Sequence, residues 1–153
     1  MKIIKKQPAT AGFTLIEILI VIGIIAILAA IVLVAVNPAK QFAKANNAQR
    51  ASNINAILNS VGQYTVDNKG SLPPNITTTA KDIGSAGADI CLNLVPNFLP
   101  ALPADPTKAD QSISKTDCAS TYTTGYNISK DTDNRVTITA PSAEDGATIS
   151  VTR

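Results

Sequence analysis

The sequence predicts an α+β protein. One long N-terminal α-helix, membrane-spanning in its first half and amphipathic in its second, packs on a small antiparallel β-meander. Three observations carry this. An apolar run extends from Phe13 to Val36. An apolar stripe at three- and four-residue steps follows it. Short segments of alternating apolar and polar residues occupy the last third of the chain. The chain has 153 residues, so beside the apolar run there is room for one modest domain. Aromatics make up only 4%, which leaves Ile, Leu, Val and Ala to build the core.

The N-terminus comes first. Residues 1–12, "MKIIKKQPATAG", are basic and close with small residues. In the 24 residues that follow, only Thr14, Glu17 and Gly23 interrupt bulky or small apolar side chains. A helix of that length measures roughly 36 Å, enough to cross a bilayer core. The basic leader is expected to stay cytoplasmic and the rest to be exported. A secretory signal peptide has an apolar core of only about 7–15 residues, shorter than this run. A plain signal anchor fits the length but gives Glu17 no reason to be there. An acidic residue at a bilayer centre costs about 2.5–3.5 kcal/mol on insertion scales, and less near the end of a span.

"AGFTLIEILIVIGIIAILAAIVLVAV" closely resembles the N-terminus of type IV prepilins and of the related pseudopilins of type II secretion. The resemblance covers roughly the first quarter of the chain. It implies that a prepilin peptidase cuts between Gly12 and Phe13 and that Phe13 is then N-methylated. Glu17 becomes the fifth residue of the mature chain, where the family places its glutamate. Cleavage leaves a positive α-amine on Phe13, and a charge in a low-dielectric setting is costly alone and strongly attracted to an opposite one. If the amine of one subunit meets Glu17 of its neighbour, each is neutralised on assembly, and Phe13 and Glu17 set the stagger of a fibre. Glu17 paired with its own N-terminus, or resting at the headgroups, is the simpler arrangement.

Many type IV pilins carry a proline near mature residue 22, where this chain has Val34. The nearest proline is Pro38, so the bend is expected around Val34–Pro38, with Gly23 as a second weak point. The expected segments are a leader at 1–12, a transmembrane or fibre-core helix at 13–36, an amphipathic half at 37–70 and a headpiece at 71–153. In the amphipathic half, Ala51, Ile54, Leu58, Val61 and Thr65 form the stripe, flanked by Ile57 and Tyr64. Lys40, Lys44, Asn47, Arg50, Asn55 and Asn59 are assigned to the polar surface. Gly70 and Pro73–Pro74 mark the stop.

Residues 71–120 are rich in turn formers and read as loop, with a short helix around Ile90–Val95. Within them, "FLPALPADP" resembles a segment of major pseudopilins and their pilin relatives. Residues 121–153 supply three strands, carried by Tyr122, Tyr126 and Ile128, by Val136, Ile138 and Ala140, and by Ala147, Ile149 and Val151. "KDTDNR" and "PSAEDG" are the turns. Such a meander over the helix stripe is the layout of a pilin headpiece. Cys91 and Cys118 both follow the membrane segment, and an even count in an exported domain favours a disulfide over two buried thiols.

Nothing in the chain points to catalysis. It has no histidine, no glycine-rich phosphate loop and no convincing carboxylate pair, and no cofactor is expected. Without Lys2, Lys5 and Lys6, 10 of the 13 basic residues face 11 acidic ones, so no basic block asks for nucleic acid. Asp131, Asp133 and Asn134 are a weak calcium candidate. Calcium takes six to eight oxygens, and a hairpin turn is the better reading. Asn75-Ile-Thr77 and Asn127-Ile-Ser129 match the glycosylation sequon, a weak motif here.

The function expected is a type IV pilus-like subunit, inserted in the inner membrane as a precursor and polymerised with itself into an extracellular filament. Prepilin peptidase and an inner-membrane assembly platform are its expected partners. A type II secretion pseudopilin is the first rival. The second, of another class, is a membrane-anchored binding protein that never polymerises. Adhesion, motility, DNA uptake and export remain open as roles.

Overall fold

Helix α1 (Leu15–Val36) starts at Thr14, whose extended backbone and hydroxyl make it an N-cap. This is a computed structural model, and it describes residues 12–153. The expected leader ahead of Gly12 lies outside the described residues. The 22 residues of α1 make a rod about 33 Å long. None of its side chains is buried.

The expected single helix with a bend near Pro38 is corrected: there are two helices. Helix α1 stops at Val36, Asn37 takes a left-handed conformation (φ 44°), and helix α2 (Pro38–Asp67) begins at the proline. Local sterics explain the break. Proline disfavours α geometry in the residue before it, asparagine tolerates the left-handed region, and proline's missing N–H is harmless in a first helical turn. Gly23, the other expected weak point, lies inside α1, which runs through it unbroken.

Helix α2 ends close to where expected, in a Schellman-type turn. Gly70 N–H bonds to Thr65 O at 2.8 Å and Lys69 N–H to Val66 O at 3.3 Å. The left-handed position next to the helix end is Lys69, and Gly70 follows it, also at positive φ. Ile54, Ile57, Leu58 and Val61 of α2 share one core with Tyr126, Ile128, Val136 and Ile138. Arg50 is corrected: expected on the polar surface, it is fully buried.

The sheet has four strands. Strand β4 (Thr123–Lys130) pairs with β5 (Val136–Thr139), and β5 with β6 (Ser150–Thr152), all antiparallel. Ile128, Ile138 and Val151 stand in register across them and point to the core side. That is the expected meander, with Ala147 and Ile149 left outside the last strand. The fourth strand, β1 (Lys81–Gly84), adds to the free edge of β4. It corrects the reading of residues 71–120 as loop with one short helix. The same stretch holds a two-stranded ladder, β2 (Leu102–Pro103) with β3 (Ser112–Ile113), and a 3₁₀ turn at Asp117–Ala119. The expected short helix is α3 (Cys91–Leu94). A tight turn follows β1: a Cβ on Gly87 would lie 2.2 Å from Asp82 O, so only glycine fits there. A disulfide joins Cys91 to Cys118, and both are buried.

Candidate functional site

Two polar constellations stand out. The first caps α1. Thr14 Oγ1 accepts from Glu17 N–H at 3.3 Å, and Glu17 Oε2 accepts from Thr14 N–H at 2.7 Å and from the Thr14 hydroxyl at 2.8 Å. This is a capping box, and it places a negative charge at the positive end of the helix dipole. All these bonds use Oε2, and no ion pair to Glu17 forms among the described residues. Among the described residues the carboxylate is oriented by Thr14 through Oε2 alone. Gly12 and Phe13 precede the helix, are not helical and are exposed, Phe13 to 86%.

The second constellation was not legible as a site. Arg50 Nε donates to Asp105 Oδ2 at 2.7 Å and Nη2 to Oδ1 at 3.2 Å, a bidentate pair at the end of "FLPALPAD". Arg50 Nη1 donates to Glu144 Oε2 at 2.6 Å and to Asn47 Oδ1 at 3.0 Å. Thr107 closes on Asp105 Oδ1 through N–H (3.0 Å) and hydroxyl (2.6 Å). Asn53 beside it donates to Ala104 O and to the Tyr126 hydroxyl, each at 2.9 Å. Gly125 crosses over Asp105 with φ +78°, and a Cβ there would sit 3.3 Å from the Asp105 Cβ. Helix α2, the segment after β2 and the β5–β6 turn are thereby tied at one guanidinium.

The electrostatics agree with the geometry. The hydrogen bond to Asp105 holds the Arg50 guanidinium charged more firmly than usual, against the opposing effect of burial. Burial alone would raise the Asp105 carboxyl. Hydrogen bonds from Arg50 and Thr107 outweigh it and keep Asp105 below the ordinary range. Glu144 is lowered by its hydrogen bond from Arg50, then by Asn46. One sequence signal could have found the cluster. Arg50 stands four residues before Ile54 on the stripe itself, and Asp105 closes an otherwise apolar run.

The weak calcium candidates form the β4–β5 turn. Asp131 Oδ1 accepts from Asp133 N–H and Arg135 N–H at 2.9 and 2.8 Å, and Oδ2 from Arg135 Nε at 3.0 Å. Asn134 Oδ1 accepts from Lys130 Nζ at 3.1 Å. The side-chain oxygens of Asp131 and Asn134 are thus engaged in turn hydrogen bonds, which is the hairpin arrangement. In the two sequons, Asn75 is exposed and donates to Asp89 O, and Asn127 stands inside β4.

Residues 8–33 match the prokaryotic N-terminal methylation motif. No curated protein and no solved structure matches the chain. The matched residues include Gly12, Phe13, Thr14 and Glu17 and run into the apolar helix. Together with the α+β layout, the motif supports a type IV pilin-like prepilin.

Proposed function

We propose that this chain is a structural subunit of a type IV pilus-like extracellular filament. The observation that carries the proposal is the methylation motif lying over a capped, wholly unburied apolar helix. Prepilin peptidase removes residues 1–12 after Gly12, and Phe13 is N-methylated. An inner-membrane platform then draws subunits from the bilayer into a polymer whose core is α1. In that polymer the Phe13 amine of one subunit meets Glu17 of the next. The pairing supplies the cation that Glu17 lacks within its own described chain, and an ion pair in an apolar surround strongly favours one register.

A second reading keeps the processing and changes the machine: a major pseudopilin of a type II secretion system. The segment "FLPALPADP", which resembles one in major pseudopilins and their pilin relatives, favours it. Intact mass with N-terminal fragmentation of the protein from its native cells tests the shared step. A chain beginning at N-methylated Phe13 supports both readings, and one that keeps Met1–Gly12 overturns both. Pelleting of sheared surface material separates them, since long fibres favour the pilus and their absence favours the pseudopilus.

A further inference from the structure

Helix α2 starts two residues beyond Val36, yet its first buried residue is Arg50. The residues before Arg50 have two faces. Lys40, Lys44 and Asn47 recur at steps of four and three and share one side. That side meets the β5–β6 turn. Asn47 Nδ2 donates to Glu144 O at 2.8 Å, Glu144 N–H donates to Asn47 Oδ1 at 3.0 Å, and Lys40 pairs with Asp145 at 3.8 Å. Ala39, Phe42 and Ala45 recur at steps of three, with Phe42 about 180° around the helix from the midpoint of the two lysines and each alanine about 120° from it. All three are exposed, Phe42 to 71%. Asn46, four residues past Phe42, donates to Glu144 Oε2 at 2.9 Å, so the turn reaches one edge of this face, while Phe42 itself is left uncovered among the described residues.

Chain continuity says what covers it. With α1 across the membrane, its length of about 33 Å matches a hydrocarbon core of about 30 Å. Phe42 is six residues past Val36. Two extended spacings and one helical turn allow at most about 13 Å beyond the end of α1. The headgroup layer lies within that reach. Phe42 is also the single aromatic between Phe13 and Tyr64, so the span has one phenylalanine just before it and one just after. Aromatic side chains favour the two boundaries of a bilayer.

We infer that Ala39, Phe42 and Ala45 form an interfacial anchor that lays the first turns of α2 in the outer headgroup layer of the membrane while the subunit is inserted. The partner is a phospholipid surface. Extraction into a fibre must then pull Phe42 out of lipid as well as α1. The inference rests on α1 spanning the membrane and not on polymerisation.

The chain contains no tryptophan, so single tryptophans report cleanly. The full-length chain is reconstituted in vesicles of phosphatidylcholine with phosphatidylglycerol, carrying Phe42→Trp, Ala45→Trp, Lys44→Trp or Ile25→Trp in turn. Lipids brominated at shallow or deep acyl positions quench nearby indoles. Ile25→Trp reports the span and should be quenched by deep bromines. Phe42→Trp and Ala45→Trp should be blue-shifted and quenched by shallow bromines, while Lys44→Trp should emit as a water-exposed indole. If Ile25→Trp is quenched but Phe42→Trp emits as in water, the anchor is overturned and the span stands. If Phe42→Trp is shielded from water without lipid quenching, a second copy covers it and the anchor is again overturned. If Ile25→Trp escapes quenching, the span fails and takes the anchor with it.

Discussion

Glu17 stands at the head of an apolar helix, with one carboxylate oxygen held by Thr14 and no ion pair among the described residues. Arg50 lies at the other extreme, fully buried with two carboxylates and an amide on its guanidinium. The buried charge is answered entirely within the chain. The exposed one is oriented by the chain and left electrically open. A charge satisfied internally stabilises a fold and is indifferent to partners. A charge left open in an apolar setting stabilises whatever brings the opposite charge. On this comparison the Arg50 cluster is complete within its own chain, and the role proposed for α1 is to be completed by another molecule.

The largest effect expected is at the open charge. Glu17→Gln keeps the size and the cap geometry and removes the charge. It should abolish sheared, pelletable fibres while leaving the headpiece melting temperature unchanged. Fibre yield near wild type would sink the role of Glu17 in assembly. The closed charge should behave in the opposite way. Asp105→Ala leaves Arg50 buried without its main partner and should cost about 3–5 kcal/mol of headpiece stability, read by denaturant unfolding. Replacing both partners, Arg50→Met with Asp105→Leu, should cost clearly less than the sum of the single changes. An additive double mutant would mean that the pair is not coupled.

The disulfide ranks next. Cys91→Ser with Cys118→Ser opens a 26-residue loop and should cost about 3–4 kcal/mol in the chain-entropy model. Hydrogen exchange should rise first between residues 91 and 118. Acid tests the Arg50 cluster more gently. Asp105 and Glu144 both titrate below their ordinary values in the folded chain. Their contribution is therefore fully present above the unfolded carboxylate range, near pH 4, and is lost as pH falls through the lower folded values. Glu144→Gln should flatten the decline of stability below pH 4 relative to wild type. An unchanged slope would place the acid sensitivity elsewhere.

The helices and the three C-terminal strands were readable because each is long or regular enough for its period to show. Leu15–Val36 has no polar residue after Glu17, and Val136–Thr139 alternates cleanly. The disulfide was readable from cysteine number and compartment. What escaped depends on pairing across the chain. Strand β1 has one buried bulky side chain, Ile83, and becomes a strand by bonding to β4. Arg50 reads as surface because arginine is mostly found there, and its two acidic partners lie 55 and 94 residues away. The break at Asn37 was visible as Asn-Pro but read as a bend, since the period alone does not separate a kinked helix from two helices.

The smallest effect expected separates orientation from charge at Glu17. Thr14→Val removes the hydroxyl that accepts from Glu17 N–H and donates to Oε2, while the backbone N–H of residue 14 can still reach the carboxylate. Loss of such a cap is worth about 1 kcal/mol. A carboxylate held by one bond instead of two samples more positions, yet its charge is intact. Fibres should therefore still form, in reduced yield, and Thr14→Ser should restore them because serine supplies the same hydroxyl. Thr14→Val as defective as Glu17→Gln, with no rescue by serine, would mean that residue 14 contacts a neighbouring subunit or the assembly machinery directly. Glu17 would then owe nothing to its own helix cap, and the open charge would have to be oriented by the partner that neutralises it.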